Sequence, residues 1–562
     1  MKTQIMKTLP AWASRLFLPV DIAPLVFIRV GFGALMLWEV WRYFHYDRIG
    51  RYFVDTAYNF HYYGFEWVKP LPGDGMYALF HALGLLSLLI LVGALYRLSM
   101  ALFCVMFTYV FLLDQAQYLN HFYLICLVSL LMVFVPAHRA LSVDAALGLA
   151  RPAHTAPAWA LWLLRGQMAI VYFFGGVAKI NEDWLAGEPL RTWMAARTDF
   201  VFIGQWFTEE WMVMLFTWGG LLLDLFIVPF LLWRRTRVPA LLLAITFHLM
   251  NSQLFNIGIF PWFAIAMTLI FMPPAWFRPP FWRALPAASP APPPPQRQQR
   301  LVLGLLAAYF AVQVALPLRH FFIGGNPSWT EAGHTLAWHM RLRAKEGDIA
   351  FFATDPLTGT TWPVDTAALL SDRQHDQMKD NPQMILRFAH YLARRLRADG
   401  LGTVQVRAWA MMSLNRRAPQ LLIDPTTDLA QQPDQLGLAD WVLPLVQRPA
   451  PQPAVPAVLL SDLGGGVLLL INMTMADAPL AGLRLAQGDT VWSPQAWGYE
   501  VLEPAECLLI HHPEADLARA WVPCNEAGRV AADLRADQPV QALTAAPLAC
   551  ASPRCVVSLP QG

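Results

Sequence analysis

A lysine stands where an apolar run ends, in VYFFGGVAKINEDW, Val171 to Trp184. Gly175 and Gly176 come just before Lys179, and Asn181, Glu182 and Asp183 just after it. An amine in an apolar pocket loses solvation, which favours its neutral, basic form. The paired glycines allow close approach of another backbone or a flat ligand. The polar residues that follow could orient the amine. Simple snorkelling of the lysine to an interface is the other reading.

A second polar set lies in FHLMNSQLFNIGIFPW, residues 247–262. His248, Asn251 and Ser252 have i, i+3, i+4 spacing and can share a helix face. Gln253 and Asn256 follow, and then Gly258 and Pro261 break the helix. Irregular backbone at membrane depth is tolerated where it is buried or lines a cavity. The segment is therefore either an interhelical network or the wall of a site. Asp114 and His121 flank the short turn LLDQAQYLNH. His121 by itself reads as an interfacial hydrogen bonder. Arg29 and Glu39 read as structural, while Arg165 and Asp224 are expected to pair with each other across helices.

These residues need a membrane scaffold. Of 562 residues, 56% are hydrophobic and 14% charged, well below the roughly one quarter charged of soluble chains. A net charge of +2 gives no electrostatic footprint for nucleic acid. Cys104 and Cys126 fall inside apolar runs, whereas Cys507, Cys524, Cys550 and Cys555 crowd the tail, with connectivity unreadable from spacing. There is no CxxC, HExxH, phosphate-binding loop or nucleophile elbow, so no metal is expected.

Runs at 23–43, 76–96, 98–113, 121–136, 158–178, 211–233, 239–272 and 301–318 are candidate spans. The run 239–272 is long enough for two, giving about eight or nine. Lys2, Lys7 and Arg15 precede the first span without a small-residue cleavage site, which reads as a retained anchor. Lys and Arg concentrate in loops that are internal if the N-terminus is cytoplasmic. A Pro-rich stretch, 286–300, reads as an extended connector. Residues 1–318 thus form a helical membrane domain, and 319–562 a mainly β soluble domain with a few helices on the outer side. The clearest of those helices is 382–400, ending at Gly400.

The segments YRLSMALFCVMFTYVFLLDQAQYLNHFYL (96–124), YFFGGVAKINEDWLAG (172–187), FHLMNSQLFNIGIFPW (247–262) and PLRHFFIGGNPSWTEAGHTLAWHMRLRAK (317–345) occur in this order. Together they resemble the vitamin K-dependent gamma-glutamyl carboxylase family, in its bacterial, HTTM-domain form. SLNRRAPQLLIDP (413–425) resembles it more weakly. The resemblance implies a membrane enzyme using reduced vitamin K, a menaquinol- or phylloquinol-type hydroquinone, with O2 and CO2 as co-substrates. The hydroquinone is deprotonated and oxygenated, the strong base so formed removes a γ-proton from a protein glutamate, and the carbanion adds CO2. The vitamin leaves as its epoxide. The implied partners are the lipid bilayer, the quinone and a secreted Glu-containing protein.

Carried over by motif, Lys179 takes the role of deprotonating lysine and His121 that of the family histidine, with Asn120 beside it. Gly175, Gly176, His248, Asn251, Ser252 and Gln253 are expected to line the cofactor site. Two features depart from animal members. Ala178 replaces a second lysine, and no Cys lies before 104 or between 127 and 506, so the cross-link of animal enzymes cannot form in the same way. A quinol epoxidase without carboxylation and a non-catalytic quinone-binding protein are the alternatives. A transporter is disfavoured, because no two-fold repeat is present.

Overall fold

The computed structural model describes residues 10–255, 257–278, 294–357 and 361–446, and beyond those the backbone of strand segments between 457 and 558. Two compact units form. The first comprises Met1–Asp55, Gly64–Phe322 and His334–Leu342, and the second comprises Thr56–Tyr63, Ile323–Gly333 and Arg343–Gly562.

The first unit is helical. Its main elements are α1 Ala23–His45, α2 Gly75–Val92, α3 Tyr96–Leu113, α4 Asn120–Phe134, α5 Ala158–Val177, α6 Glu210–Leu232, α7 Arg237–Leu254, α8 Phe260–Thr268 and α9 Gln296–Leu318. Each apolar run of the sequence became one helix, and 239–272 became two. Among the described residues, six helices are long and apolar enough to cross a membrane: α1, α2, α3, α5, α6 and α9. The α4 helix is shorter, as is the apolar stretch Phe260–Phe271. Helix α9 starts at Gln296, so Arg297 and Arg300 are helical and the expected connector is shorter than 286–300. Residues 286–293 lie outside the described set.

Lipid removes the hydrophobic drive between helices, so close contact and hydrogen bonds decide their packing. A methyl on Gly33 of α1 would come within 2.6 Å of the Leu91 backbone nitrogen on α2. Buried Arg29 donates to the carbonyls of Ala137, Ala140 and Leu141. Glu39 holds Arg42 at 2.7 Å and Arg48 at 3.6 Å. Both residues are thus structural, as the sequence implied.

In the second unit, strands β1 Lys345–Thr354, β2 Thr361–Val364, β3 Gln405–Leu414 and β4 Gln420–Leu421 form an antiparallel sheet in the order β2-β1-β3-β4. Helix α10, Asp372–Lys379, precedes α11, Pro382–Ala398. The Asn381 side chain accepts the Gln383 and Met384 N–H groups at the start of α11. Gly400 follows its end with a φ of +94°, the left-handed stop the sequence implied. Phe388 of α11 meets Phe351 of β1 edge to face at 5.1 Å. Further on, a six-stranded sheet runs from 457 to 558 with one parallel pair, Cys507–His511 beside Gly528–Ala531.

Candidate active site

The site is built on one face of α5. Tyr172 and Lys179 are seven residues apart, two turns, and so lie on the same side. Lys179 follows the last helical turn and is 5% exposed. Its Nζ donates to the Gly175 carbonyl at 3.0 Å, a cation on an orphan carbonyl at a helix end. The same Nζ reaches Asp224 Oδ2 of α6 at 2.5 Å and lies 5.3 Å from the centre of the Trp184 ring. Asn181 positions Trp184: its side chain accepts the Trp184 N–H and donates to the Ala178 carbonyl, each at 2.9 Å.

Two expected partnerships are thereby corrected. Asp224 pairs with Lys179 rather than Arg165, whose guanidinium donates to the Ile270 carbonyl at 2.9 and 3.2 Å. The amine's carboxylate comes from a neighbouring helix rather than from Glu182 or Asp183.

Two turns below Lys179, the Tyr172 hydroxyl lies 2.7 Å from His248 Nε2 and 2.8 Å from Thr268 Oγ1. Thr268 spends its own proton on the Ala264 carbonyl at 2.8 Å. The Tyr172 proton therefore goes to Thr268 or to His248, which ties the histidine tautomer to this triad. His248 is 2% exposed, and its Nδ1 has no hydrogen-bond partner among the described residues. The Phe260 ring touches both His248, at 5.8 Å, and His121, at 5.7 Å. The lysine and histidine segments, far apart in sequence, thus meet across α5, α7 and α8, with His121 of α4 at the edge.

The other expected residues separate into two groups. Gly175 and Gly176 are buried against α6. A methyl on Gly176 would lie 2.8 Å from Leu225 Cδ2 and 3.0 Å from the Leu225 backbone nitrogen. One on Gly175 would lie 3.1 Å from Met340 Cε. Protein atoms occupy the space over both glycines: Leu225 of α6 over Gly176, and Met340 with the Asp224 carboxylate over Gly175. Ser252 donates back to the Leu249 carbonyl at 2.7 Å, and Gln253 is exposed. Arg197 covers the carbonyls of Gln253 and Leu254 at the end of α7. Asn251 is half-buried, and Asn256 lies outside the described residues. Among the described residues of that polar stretch, only His248 hydrogen-bonds into the Tyr172 cluster.

Residues 334–342 fall in the family-like segment 317–345, but sequence reasoning missed their placement: they clip onto the α3–α4 turn. Asn120 Nδ2 donates to the His339 carbonyl at 2.9 Å, and the Tyr118 hydroxyl donates to Asn120 Oδ1 at 2.8 Å. The Leu336 N–H returns a bond to the Tyr118 hydroxyl at 2.9 Å. Leu336, Trp338 and Arg341 have φ of 62°, 59° and 52°, the left-handed region bulky residues avoid. Asn120 thus fixes this segment, which brings Met340 over Gly175. Tyr172 was also missed. Its seven-residue offset from Lys179 was the available signal.

Residues 17–276 match the model of the HTTM domain. Residues 298–448 match that of the vitamin K-dependent gamma-carboxylase lumenal domain. The chain belongs to the vitamin K-dependent gamma-carboxylase family. No solved structure matches it. Family membership implies a carboxylase that uses reduced vitamin K, O2 and CO2. The two matches join at the start of α9, so the HTTM part holds Lys179, Asp224, Tyr172 and His248, and residues 334–342 fall in the lumenal part.

Proposed function

We propose that the chain is an integral-membrane carboxylase that couples oxygenation of reduced vitamin K to its epoxide with γ-carboxylation of protein glutamate. The observation that carries this reading is the buried Lys179–Asp224 pair. It shares one face of α5 with the Tyr172–His248 cluster, in a chain that matches both family domains.

The residues present suit a hydroquinone head. Lys179 and Asp224 make a proton-transfer pair, and His248 Nδ1 is a buried polar atom with no partner among the described residues. Phe260 and Trp184 supply apolar walls. When bound, the hydroquinone supplies the reaction with O2 that yields a base strong enough to ionise a glutamate γ-carbon. The task of Lys179 is to take the phenolic proton, which needs a free amine. In a water-poor site an ion pair and its neutral amine–acid form lie closer in energy than in water. Transfer of the Nζ proton to Asp224 Oδ2, along the existing hydrogen bond, leaves the amine able to accept a proton. Asp224 thus acts as proton store, and Trp184 and the Gly175 carbonyl hold Nζ in place. His121 and His248 flank Phe260 and bind or orient the oxygen substituents. Asn120 acts on the 334–342 segment, a positioning role.

In this reading α4, α7 and α8 join the six long helices to give nine spans, with the N-terminus cytoplasmic. Residues 1–318 are the catalytic membrane domain, and 319–562 lie on the outer side, where a secreted Glu-containing protein arrives.

The test uses purified full chain with reduced vitamin K, O2, labelled CO2 and a Glu-containing peptide. Epoxide together with labelled peptide is expected. Lys179→Ala should lower both by at least about 1,000-fold in protein that keeps its elution profile. Epoxidation at the unaltered rate by that variant would overturn the assignment of Lys179. Epoxide without labelled peptide would reduce the activity to oxygenation.

A further inference from the structure

A second polar cluster lies inside the helical unit, and the proposed chemistry leaves it unused. Helix α9 is largely exposed along its length, and its two buried residues are Gln313 and Pro317. Tyr309 and Gln313 are four residues apart and share a face. The Tyr309 hydroxyl donates to Gln167 Oε1 of α5 at 2.6 Å. Gln313 Nε2 donates to the Tyr123 hydroxyl of α4 at 3.4 Å. The Tyr123 ring stacks on Trp338 at 5.0 Å. Helix α9 can sit this close because α5 carries Gly166, where a methyl would lie 2.6 Å from the Phe310 ring.

Three polar atoms of this seam have no partner among the described residues: Gln167 Nε2, Gln313 Oε1 and Trp338 Nε1. Their residues are 0%, 3% and 1% exposed. Exchanging the ends of either amide moves the unpartnered atom without removing it. In a membrane such atoms are costly unless something meets them. What remains is two kinds of donor, an amide and an indole N–H, and one carbonyl acceptor. The five side chains carry no charge, and Arg319, whose charge bears on Tyr123, already donates to the Leu316 and Thr335 carbonyls, so the seam itself offers no charge to a phosphate or carboxylate headgroup. A molecule with hydroxyls that both donate and accept, on a flat ring, fits them. Its apolar tail would lie in lipid along α9, where Leu305 and Val312 are exposed.

We propose that the seam between α4, α5 and α9 is a lateral entry site for the head of a lipid-dissolved hydroquinone, separate from Lys179. Gln167 lies twelve residues before Lys179, about 18 Å along α5. The proposal rests on the quinol-dependent reading above, since that reading supplies the ligand.

The experiment is photolabelling of the full chain in nanodiscs with a photoreactive hydroquinone analogue, followed by peptide mapping. Label is expected in the peptides around Gln167 and Gln313, and excess unmodified hydroquinone should displace it. Gln167→Leu with Gln313→Leu should cut that label about tenfold and raise KM for hydroquinone, with kcat retained. Trp338→Phe keeps the ring stack and removes the indole N–H. It should weaken labelling in the same direction, which covers the case of a double variant that fails to fold. Label confined to the Lys179 region, seam label that hydroquinone cannot displace, or unchanged label and KM in folded variants would each overturn the proposal. The last result would mean that water fills the seam. Displaceable seam label in a protein that forms no epoxide would keep this site and sink the proposed reaction. Epoxide formation without seam label would do the reverse.

Discussion

A lysine is buried in each unit, and in each it sits by a tryptophan, a carboxylate and a backbone carbonyl. Lys345, at the start of β1, has a side chain with no exposure. Its three N–H groups go to the Trp329 carbonyl at 2.6 Å, the Asp380 carbonyl at 2.6 Å and Glu331 Oε1 at 2.8 Å. Arg343 takes the other Glu331 oxygen at 2.7 Å. Nothing is left over for a ligand. Lys179 has two acceptors, and its third N–H has no hydrogen-bond acceptor among the described residues. Burial and a paired carboxylate are common to both lysines, so neither marks a chemical role. What separates them is saturation. A lysine whose three donors are spent is a fastener, whereas one with a donor in reserve on an apolar wall can engage a substrate.

The contrast can be broken from either side. Lys345→Met should destabilise the second unit by about 3–5 kcal/mol, because it takes the ammonium donor away from Glu331 Oε1 and from two buried carbonyls. Denaturant unfolding of the full chain reads this loss. Epoxide formation per folded molecule should stay unchanged, and a catalytic loss at unaltered stability would dissolve the distinction. Asp224→Asn keeps the shape of its side chain and a hydrogen bond to Lys179 but can no longer store the amine's proton. We expect a fall of about 100-fold in epoxidation, with a smaller change in stability. Full activity in the Asn variant would mean that Lys179 needs no carboxylate, and Asp224 would then be a fastener like Glu331.

Sequence periodicity located the main helices α1 to α9 of the first unit to within about five residues, because length and apolar content dictate membrane spans, but not the short helices between them, such as Glu182–Leu185 and Leu190–Ala195. Lys179 and His248 stood out for the same reason, being polar groups where lipid penalises them. Their partners did not. Asp224 lies in another helix, and nothing local distinguishes pairing with Lys179 from pairing with Arg165. Only the rotation of α6 against α5, set by Gly176 accepting Leu225, decides between them. Ser252 looked equivalent to His248 by spacing, yet it bonds its own helix. Residues 334–342 were opaque, since three left-handed non-glycine residues follow no propensity rule. In the second unit the Lys345 cage was equally hidden, because it joins β1 to residues before and after it in the chain.

Gly176→Ala tests that rotation directly. The added methyl meets the Leu225 backbone nitrogen at 3.0 Å, so α6 must shift outward. Overpacking of this kind costs about 1–3 kcal/mol. Because Asp224 precedes Leu225, the ion pair should loosen and epoxidation should fall along with stability. Gly33→Ala gives the control: its methyl would lie 2.6 Å from the Leu91 backbone nitrogen, which forces α1 and α2 apart and should lower stability without a specific loss per folded molecule. If the two variants behaved alike, Gly176 would be one packing glycine among several, with no part in aligning the pair.

The smallest expected effect concerns the other lysine. Asp380 caps α10, and its carbonyl holds Lys345, yet its Oδ1 has no partner among the described residues. Burial pushes its carboxyl up from 3.8 to about 6, against the pull of Lys345 and Arg343. A carboxyl whose pKa is higher folded than unfolded binds its proton more tightly when folded. Its cost to stability is therefore absent below about pH 4, grows as pH rises through 6 and is constant above that. Asp380→Asn removes the ionisable group and leaves the backbone carbonyl on Lys345. It should stabilise the second unit by about 1–2 kcal/mol at pH 7.5, less than the full shift implies because the side chain retains some solvent contact. At pH 4 the gain should vanish. The measurement is the unfolding midpoint of the full chain across that range. A loss at pH 7.5 would make the Asp380 carboxylate a working partner of Lys345 alongside Glu331. A gain that persists at pH 4 would trace it to packing. With the expected outcome, Glu331 and the two backbone carbonyls suffice to fasten Lys345, and the second carboxylate is a surplus charge that folding must bury.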